Sequence, residues 1–369
     1  MMLEFAVLSV AVLALLLLAP IVIFCAKNNP WSQCRTLGFN LFGARKPAIS
    51  SSEIVSLRVY PIKSCRGIEL KKSTLLTTGL DLDRQWMFID PTKNEFLTIR
   101  QIPQMTLINT ALTEDGETLL LSVAGDNEQR VVRIPAHPSA AWLADHTTLE
   151  TVKIWDTVTD GYVYGPEVNE LFSVFLARPV CLVYKGPKPR VLQGNGDPRL
   201  LGRKQTTNFP DVHPVLIGSE ASIAELNARL QHKGVDPITI ERFRPNIIVA
   251  GNAPWTEDSW KLVRISPQKS SSSSSSSAAM RQRKQKPLEI DILARCARCQ
   301  VPNVEPSTAQ KHTREPWDTL MSYRRVDEGM KWKPCFGMLS APRNEGPVEV
   351  GMLVDVLEET TQHRYISGF

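Results

Sequence analysis

The sequence predicts a mixed α+β protein, rich in strands and β-barrel structure, that follows one transmembrane helix. Three observations support this prediction. An uncharged apolar run of 20 residues covers positions 5–24, segments with alternating apolar residues begin at Val55, and two amphipathic helical segments lie among later strands. With 369 residues, of which 43% are hydrophobic, the chain is long enough for two globular units, since domains usually contain about 100–200 residues.

The apolar run at 5–24 is the predicted membrane anchor, because it has the length that spans a bilayer as a helix. Only Glu4 carries a charge before it, whereas Lys27 and Arg35 follow it. A signal peptide would place basic residues first and have a shorter apolar stretch. Since positive flanks tend to stay on the cytoplasmic side, we expect a single-pass protein whose remaining chain faces the cytosol after a linker at 25–51.

The first predicted unit, residues 52–180, is rich in strands. Val55, Leu57 and Val59 alternate with polar residues, which is the period of a half-buried strand. Further strands are predicted at 87–89, 105–112, 118–123 and 131–134. The dipeptides Asp115-Gly116 and Gly125-Asp126 between some of these segments suit tight turns, so we expect an antiparallel sheet or a small barrel.

Two helices are predicted further along the chain. The first begins near Pro166, which suits the first helical turn, and ends near Arg178. The second covers 219–234, with Ser222 and Glu225 at capping-box spacing near its start. A buried strand at 180–184 separates the helices, and the second unit, residues 181–369, is therefore predicted to be mixed.

A serine run followed by basic residues interrupts this second unit at 266–287. Its composition is too polar to order itself by burial, so we predict a disordered surface insertion. The net charge of +5 is spread over 43 basic and 38 acidic residues, without the clustered excess of a nucleic-acid-binding protein, and no nucleic-acid partner is predicted. Seven scattered cysteines in a long chain favour reduced thiols over a disulfide scaffold.

The first candidate site is the pair Cys296 and Cys299, which lie beside Arg295 and Arg298. Nearby cations favour the thiolate, the form that binds a metal or acts as a nucleophile. A structural zinc site would need further ligands, and no second Cys-x-x-Cys or paired histidines occur. A redox dithiol would favour a helix start, which Pro302 disfavours. Two buried cysteines without a chemical role remain the other alternative.

The second candidate site is the segment 242–246, which the pattern places at the start of a strand. Arg242, Arg244 and Asn246 would then share one face, where guanidinium groups could bind phosphate in a bidentate manner. The alternative is a solvated strand face with salt bridges. The polar turn after Tyr60 and the region of Arg84 could add contacts to phosphate or a pterin. Neither a glycine-rich dinucleotide motif nor a Walker loop is present, so the sequence does not indicate direct binding of NAD or ATP.

Taken together, these segments resemble the ordered motifs of the mitochondrial amidoxime-reducing components, which are MOSC-domain proteins. The similarity extends from about residue 52 to the C-terminal region, and an N-terminal anchor is common to both. The five motifs that carry it are 60–67 (YPIKSCRG), 79–86 (GLDLDRQW), 98–101 (TIRQ), 242–246 (RFRPN) and 296–299 (CARC).

The resemblance implies an N-terminal MOSC β-barrel domain, a C-terminal MOSC domain and a molybdenum–molybdopterin cofactor between them. It implies that Cys299 is the metal ligand and that Asp211 lies in the cofactor or substrate pocket. The implied cofactor-binding residues are Lys63, Ser64, Arg84, Arg242, Arg244, Asn246, Ala297, Arg298 and Cys299. Val212 and His213 stand where the family has small hydroxyl residues. His213 is therefore either a catalytic proton donor, with Cys299 and Asp211, or an ordinary surface or packing residue.

The implied function is that of an oxidoreductase at the mitochondrial outer membrane that reduces N-oxygenated substrates. The family's substrates are amidoximes, hydroxylamines and N-oxides, and some relatives reduce nitrite. Electrons would come from NADH through a flavin reductase and a cytochrome b5-type haem protein. One alternative is a non-catalytic cofactor carrier or sulfur-transfer module like those of cofactor sulfurases, which also carry a pyridoxal-phosphate domain for which this chain leaves no room. The other is a membrane-tethered anion-binding protein.

Overall fold

The computed structural model describes residues 47–267 and 287–368. The predicted anchor at 5–24, most of the linker at 25–51 and most of the insertion at 266–287 lie outside these residues. In the described ranges, no helix has the length and apolar character needed to cross a membrane. Residues 48–369 form one compact unit, which shows no division at residue 180. The predicted boundary between two domains at this residue therefore stays a prediction.

The described chain consists mainly of short strands. In the first half these are β1 Ser50–Val59, β2 Ile68–Leu70, β3 Lys72–Leu76, β4 Gly79–Leu80, β5 Trp86–Asp90, β6 Glu95–Phe96, β7 Ile108–Leu112, β8 Thr118–Val123, β9 Val132–Pro135, β10 Thr147–Ile154, β11 Thr157–Tyr164 and β12 Cys181–Lys185. In the second half they are β13 Arg190–Val191, β14 Thr206–Thr207, β15 Val215–Ser219, β16 Ile247–Val249, β17 Trp260–Ser266, β18 Leu288–Ala297, β19 Cys335–Pro342, β20 Gly346–Glu349 and β21 Leu353–Glu359.

The helices lie between these strands. They are α1 Ala140–His146, α2 Pro166–Phe175, α3 Pro198–Leu201, α4 Glu220–His232 and α5 Trp317–Tyr323. Short 3-10 turns occur at Pro103–Leu107, Gly194–Gly196, Ile240–Phe243, Thr256–Ser259 and Val301–Asn303. Both predicted helices, now α2 and α4, are confirmed, as is the mixed α+β, barrel-rich fold class.

A closed barrel contains strands β10, β11, β12, β5 and β6, in that order. Strand β5 shows why the barrel is stable, because its successive side chains face two different cores. Trp86 and Phe88 pack in one buried cluster, where Phe88 lies 5.1 Å from Phe172 of α2, measured between ring centroids. Met87 and Ile89 point to the other side and pack in a second cluster. Each large apolar side chain buried in this way contributes about 1.5–3 kcal/mol.

A larger sheet has the strand order β16, β15, β19, β18, β17, β21, β1, β2. Strand β1 also pairs with β16, so the sheet closes into a ring. The predicted alternation in β1 is correct for Leu57 and Val59 but wrong for Val55. The register shifts between Ile54 and Ser56, and this irregularity makes Ile54 the buried residue instead of Val55. The pattern of apolar residues could not reveal this register shift, because Ile54 and Val55 are both β-branched and apolar.

Two further local predictions are corrected by the structure. The segment predicted as one strand at 105–112 is a 3-10 turn followed by β7, because Pro103 starts a helical turn there. The capping box of α4 is wrong: Ser219 is the residue before the helix, and the hydroxyl of Ser222 donates a 2.6 Å hydrogen bond to Glu257 Oε1. The apolar face of α4 is as predicted, with Ile223, Leu226 and Leu230 buried.

Candidate functional site

A cavity of about 550 Å³ brings most of the predicted site residues together. Those that line it are Lys63, Ser64, Arg84, Asp211, His213, Arg244, Asn246, Ala297, Arg298 and Cys299. Arg100, Trp155, Lys333 and Tyr365 line it as well. Among the described residues, the lining carries six lysine or arginine side chains against one carboxylate, that of Asp211. Such an excess of positive charge favours an anionic ligand.

One part of the cavity is built on the turn after β1. Lys63 is buried, donates a 3.0 Å hydrogen bond to the Phe209 carbonyl oxygen and forms a short ion pair with Asp211. Trp155 Nε1 donates to the same carboxylate oxygen over 3.1 Å. The hydroxyl of Ser64 accepts a hydrogen bond from the Ile99 amide over 3.3 Å. The turn therefore fixes a lysine–carboxylate pair at the cavity.

Burial and charge act in opposite directions on this pair. Burial lowers the pKa of Lys63 to about 8, although Asp211 opposes that shift. Burial also disfavours the charged carboxylate of Asp211, but Lys63, Arg100 and the hydrogen bonds outweigh it and lower the pKa of Asp211. At neutral pH Lys63 is therefore a cation and Asp211 an anion, and Lys63 loses its charge within the mildly alkaline range.

This pKa leads to a first prediction for anion binding to the cofactor-free protein. Sulfate is a suitable probe because it keeps its charge across the relevant pH range. As the pH rises from 7 to 9, Lys63 loses its proton, and the affinity of the protein for sulfate should fall about tenfold. The lost interaction is a hydrogen bond from a charged group, which contributes about 1.5–3 kcal/mol. Isothermal titration calorimetry measures this. Lys63→Met should bind sulfate weakly and without this pH dependence, whereas an equal pH dependence in the variant would contradict the assignment to Lys63.

A second part of the cavity is held by an arginine pair around Tyr60. The guanidinium groups of Arg84 and Arg244 lie 4.8 Å and 4.1 Å from the centroid of its buried ring. Arg84 also donates hydrogen bonds to Asp83 Oδ2 over 2.5 Å and to the Arg244 carbonyl oxygen over 3.1 Å. Arg244 Nη2 is buried, and no described residue accepts a hydrogen bond from it. The Arg244 side chain also lines the cavity.

Backbone conformation supports the same region. Ser64, Arg84 and Arg244 have positive φ angles of 72°, 49° and 58°, a region that non-glycine residues rarely adopt. Such conformations cost about 1–3 kcal/mol each and persist where the surroundings enforce them, often at functional sites. The three side chains are thereby directed to one cavity.

The structure corrects the predicted roles of Arg242 and Asn246. The segment before β16 is a 3-10 turn that ends with Arg244 in the left-handed region, so the three side chains do not share a strand face. Arg242 does not line the cavity; it pairs with Glu305 and donates to the Pro302 carbonyl oxygen. The Asn246 amide lines the cavity but also joins Arg84 to the backbone of β15 and β1, which makes it a positioning residue.

The cysteines lie where β18 ends. Arg298 donates hydrogen bonds to Cys296 Sγ over 3.0 Å and to the Phe243 carbonyl oxygen over 2.8 Å. Burial raises the pKa of Cys296 and outweighs Arg298, which lowers this pKa in the predicted direction, so the thiolate of Cys296 is disfavoured. Cys299 Sγ instead accepts a 3.4 Å hydrogen bond from Arg100 Nε at the cavity. Both cysteines therefore line the cavity, Cys296 with Arg298 and Cys299 with Arg100 as its hydrogen-bond donor.

Two sequence families match the regions that supply most of the cavity lining. Residues 51–179 match the family described as "MOSC N-terminal beta barrel domain", and residues 204–355 match the family described as "MOSC domain". The chain belongs to the MOSC-domain family. The cavity is lined by residues of both matched regions, and by Tyr365 and Ser367 beyond them.

Three relatives illustrate the range of similar proteins. The human protein named mitochondrial amidoxime-reducing component 1 is 29% identical over 81% of this chain and 81% of its own. The bovine component 2 is 27% identical over 84% of both chains. The molybdenum cofactor sulfurase of Oryza sativa subsp. japonica is 30% identical over 79% of this chain, but the matched part is only 33% of the sulfurase.

Sequence reasoning missed Arg100 as a site residue of the MOSC N-terminal region, although it lies in the motif at 98–101. Its guanidinium lies 4.6 Å from the centroid of the Trp155 ring, and Nη2 is 3.8 Å from Asp211 Oδ2. Arg100 thereby connects Cys299 to the Lys63–Asp211 pair. The sequence signal that could have identified Arg100 was its charge within the motif at 98–101. No sequence signal identified Trp155, which lies over 50 residues away from Arg100.

The C-terminal segment 363–368, which follows the matched MOSC domain, forms another part of the cavity wall. The side chain of Asn195 bonds the backbone of Arg364 and Ile366 over 2.9 Å and 2.7 Å, and the Tyr365 amide donates to Asp327 over 2.8 Å. Gly329 packs directly against this segment. A Cβ atom on Gly329 would lie 2.0 Å from the Tyr365 carbonyl oxygen, so the segment depends on glycine there.

A second prediction follows for Gly329→Ala. The new methyl group should displace segment 363–368 and lower the free energy of unfolding by about 1–3 kcal/mol, as in other overpacked sites. Hydrogen–deuterium exchange should become faster in residues 363–368. Gly116→Ala in the remote β7–β8 turn, where the positive φ of 75° also strains an alanine, controls for a general loss of stability and should leave exchange in 363–368 unchanged. Unchanged exchange in Gly329→Ala would contradict the packing described.

Proposed function

We propose that the chain is a molybdenum-cofactor-dependent oxidoreductase that reduces N-oxygenated substrates. The observation that carries the proposal is the position of Cys299 Sγ at a cavity with a large excess of basic side chains. The names of the relatives, which refer to amidoxime reduction and to the molybdenum cofactor, support the same class of reaction.

The donor set fits a cofactor that carries both a metal and a phosphate. Arg244 Nη2 and Arg298 Nε are buried, and the described residues supply neither with a hydrogen-bond acceptor. A phosphate would satisfy such guanidinium groups. The described residues contain no cluster of three His, Cys, Asp or Glu side chains for a metal, so a metal on Cys299 would take its other ligands from the cofactor.

Each residue then has a defined task. Cys299 would hold the molybdenum and Arg100 would orient its sulfur. The pterin and phosphate would be held by the cavity-lining residues Lys63, Ser64, Arg84, Arg244, Ala297 and Arg298. Asn246 fixes Arg84, and Arg242 supports the fold near Glu305. When bound, the cofactor supplies two electrons, which together with two protons convert an N-hydroxylated substrate to the reduced nitrogen compound and water.

Protons for this reaction need a group that titrates near neutral pH. Lys63 Nζ holds a proton at pH 7 and can release it, because burial lowers its pKa to about 8. Asp211 accepts hydrogen bonds from Lys63 and Trp155 and keeps the ammonium in place. Burial lowers the pKa of His213 to about 4, so its ring is neutral at pH 7 and poorly suited to the predicted proton-donor role.

The proposal includes the electron supply and the location. The electrons would come from NADH through a flavin reductase and a cytochrome b5-type haem protein. Residues 5–24 would anchor the chain in the mitochondrial outer membrane, and the names of the amidoxime-reducing relatives include that organelle. Anchoring would raise the local concentration of membrane-bound electron carriers.

A reductase assay tests the proposal. The full chain, purified with its cofactor, is supplied with reduced methyl viologen and then with benzamidoxime, a hydroxylamine, an N-oxide or nitrite. Formation of benzamidine with consumption of two electrons per molecule is the expected result. A protein that carries molybdenum yet reduces none of the four substrates would contradict it.

The sulfurase similarity supports a second candidate, a sulfur-transfer or carrier module for the cofactor. The identity to the rice sulfurase, 30%, is within one percentage point of the 29% identity to the human amidoxime-reducing component 1. A carrier would release its cofactor to a recipient apoenzyme and would not reduce N-oxygenated compounds. Transfer of pterin to a cofactor-free molybdoenzyme, without reductase activity, would favour this second function.

A further inference from the structure

Two segments beside the cavity, 325–333 and 363–368, expose an unusual number of large apolar side chains. Among the described residues nine large hydrophobic side chains are exposed, and three of them lie on these segments: Val326, Trp332 and Ile366. Trp332 is 78% exposed, more than any other large hydrophobic side chain in the described ranges. Single exposed apolar residues are ordinary, whereas several on one surface mark an interaction site. This concentration therefore indicates a contact surface.

Contacts between the two segments hold this surface together. The Asp327 carboxylate accepts a 2.8 Å hydrogen bond from the Tyr365 amide, so the apolar residues next to these two in the chain are also close. Met330 packs against the apolar cluster that contains Tyr365. The Lys333 amide donates to the Met330 carbonyl oxygen over 3.1 Å and closes the turn that contains Trp332. We call the exposed face of these two packed segments the Trp332 surface.

The exposed charges of the Trp332 surface are mostly basic. Arg325, Lys331, Lys333 and Arg364 are exposed, and the one exposed acidic side chain is that of Glu328. In the part of the chain that the structure describes, none of the four basic side chains has an ion-pair partner. A ligand for this surface should therefore be anionic and should also accommodate apolar side chains.

An anionic lipid bilayer has this combination of properties. A tryptophan ring suits the headgroup level of a membrane, because it has an apolar body and a polar N–H group. Lysine and arginine side chains can lay their apolar stems along such an interface while their charged ends reach the phosphates. Clusters of basic residues next to a membrane are attracted to anionic lipids. Trp332 between Lys331 and Lys333 has the composition that these effects favour.

The N-terminal end of the described fold lies near the origin of this surface. Strand β1 begins at Ser50, and Ser50 pairs with Val356 close to the end of β21. The chain leaves β21 at Glu359 and reaches segment 363–368 after three residues. The predicted anchor at 5–24 precedes β1 in the sequence and would raise the local concentration of the bilayer, so a weak affinity of the surface for lipid is enough.

We propose that the Trp332 surface binds the headgroup region of an anionic lipid bilayer. The indole of Trp332 lies at the level of the headgroups, and the neighbouring basic side chains bind lipid phosphates. Met330 and Lys333 belong to this surface and also line the cavity. The cavity thus opens beside the lipid, where molecules dissolved in the bilayer have direct access to it. The lipid contact goes beyond the proposed function and does not depend on the reaction.

Quenching of tryptophan fluorescence by brominated lipids tests this contact. The full chain is combined with nanodiscs of phosphatidylcholine that contain or lack phosphatidylserine, and the acyl chains of the phosphatidylcholine are brominated or not. Bromine quenches those tryptophans that lie in the bilayer interface. The difference between the wild type and Trp332→Phe isolates the emission of Trp332 from that of the other tryptophans. Trp332 should be quenched strongly in discs with phosphatidylserine and weakly in discs without it.

A charge reversal with a matched control shows whether the basic residues recognise the lipid. Each basic side chain near an anionic membrane changes the binding equilibrium by about fivefold, so Lys331→Glu should weaken the contact of Trp332 with anionic discs by at least that factor. Arg133→Glu makes the same change at an exposed residue of β9, outside the Trp332 surface, and should leave the quenching as in the wild type. Added salt should weaken the contact, because it screens exposed charges.

Three results would overturn the proposal. One is a Trp332 emission that does not respond to brominated lipid, and another is equal quenching in discs with and without phosphatidylserine. The third is a wild-type level of quenching in Lys331→Glu. If soluble polyglutamate changed the emission of Trp332 and brominated lipid did not, the surface would be a docking site for an acidic protein, and the lipid proposal would be wrong.

Discussion

Cys299→Ser should reduce the turnover of N-oxygenated substrates by about 100-fold or more. The thiolate is a soft ligand suited to a metal already held by cofactor sulfurs, and a serine hydroxyl is a much poorer donor. Loss of residues that merely support metal ligands typically costs 10–100-fold, so loss of the ligand itself should exceed that range. Steady-state reduction of benzamidoxime with reduced methyl viologen measures the effect.

Cys296→Ser is the matched control for this variant. Cys296 lies three positions earlier, and its sulfur accepts a hydrogen bond from Arg298, which a serine oxygen can also accept. We expect molybdenum content and turnover within about threefold of the wild type, because the serine keeps the hydrogen bond with Arg298 and Cys296 is not the proposed metal ligand. If Cys296→Ser lost activity and Cys299→Ser kept it, the assignment of the metal ligand would be reversed.

Arg84→Met should lower the free energy of unfolding by about 3–5 kcal/mol. Asp83 is almost fully buried, and Arg84 supplies its opposite charge over 2.5 Å. Removing one partner of a buried pair leaves an unpaired charge, which accounts for the size of the effect. The variant also removes the guanidinium from the face of the Tyr60 ring. Urea unfolding followed by tryptophan fluorescence measures the change.

Two further proteins make this prediction specific. Arg130→Met removes an exposed arginine that pairs with Asp126, and it should change stability far less than Arg84→Met does, because exposed ion pairs contribute little. In the Arg84→Met background, Asp83→Asn should recover part of the loss, because the unpaired buried charge disappears while the side-chain oxygen can still accept from the Tyr60 amide. Arg84→Met with wild-type stability would contradict the buried pair.

Local patterns predicted those parts of the fold that local interactions determine. Helices α2 and α4 and strand β12 follow from apolar spacing, with Pro166 at a helix start and Gly234 after a helix end. The shift of register in β1 was not predictable, because it depends on pairing with β16, about 190 residues away in sequence. The closure of the two barrels likewise depends on pairings between distant strands.

The candidate site, like the fold, was predictable where neighbouring residues determine it and unpredictable where distant residues meet. Charge and motif order indicated Lys63, Arg84, Arg244, Arg298 and Cys299, and all of them line one cavity. The prediction for Arg242 failed because a left-handed residue, Arg244, turns the chain before β16. Alternation assumes an extended backbone, so it cannot detect such a turn. The partners of Arg100 could not be predicted from the sequence because they come from three separate segments of the chain.

The most direct test of the proposed function is the molybdenum and pterin content of the full chain, expressed with a supply of the cofactor. Mass spectrometry of the metal and fluorescence of the oxidised pterin should both give about one equivalent per chain in the wild type. Cys299→Ser should lose the metal or hold it in an altered form, while Cys296→Ser should match the wild type. A folded wild-type protein without molybdenum and pterin would contradict the enzyme proposed here and would favour a membrane-tethered anion-binding protein.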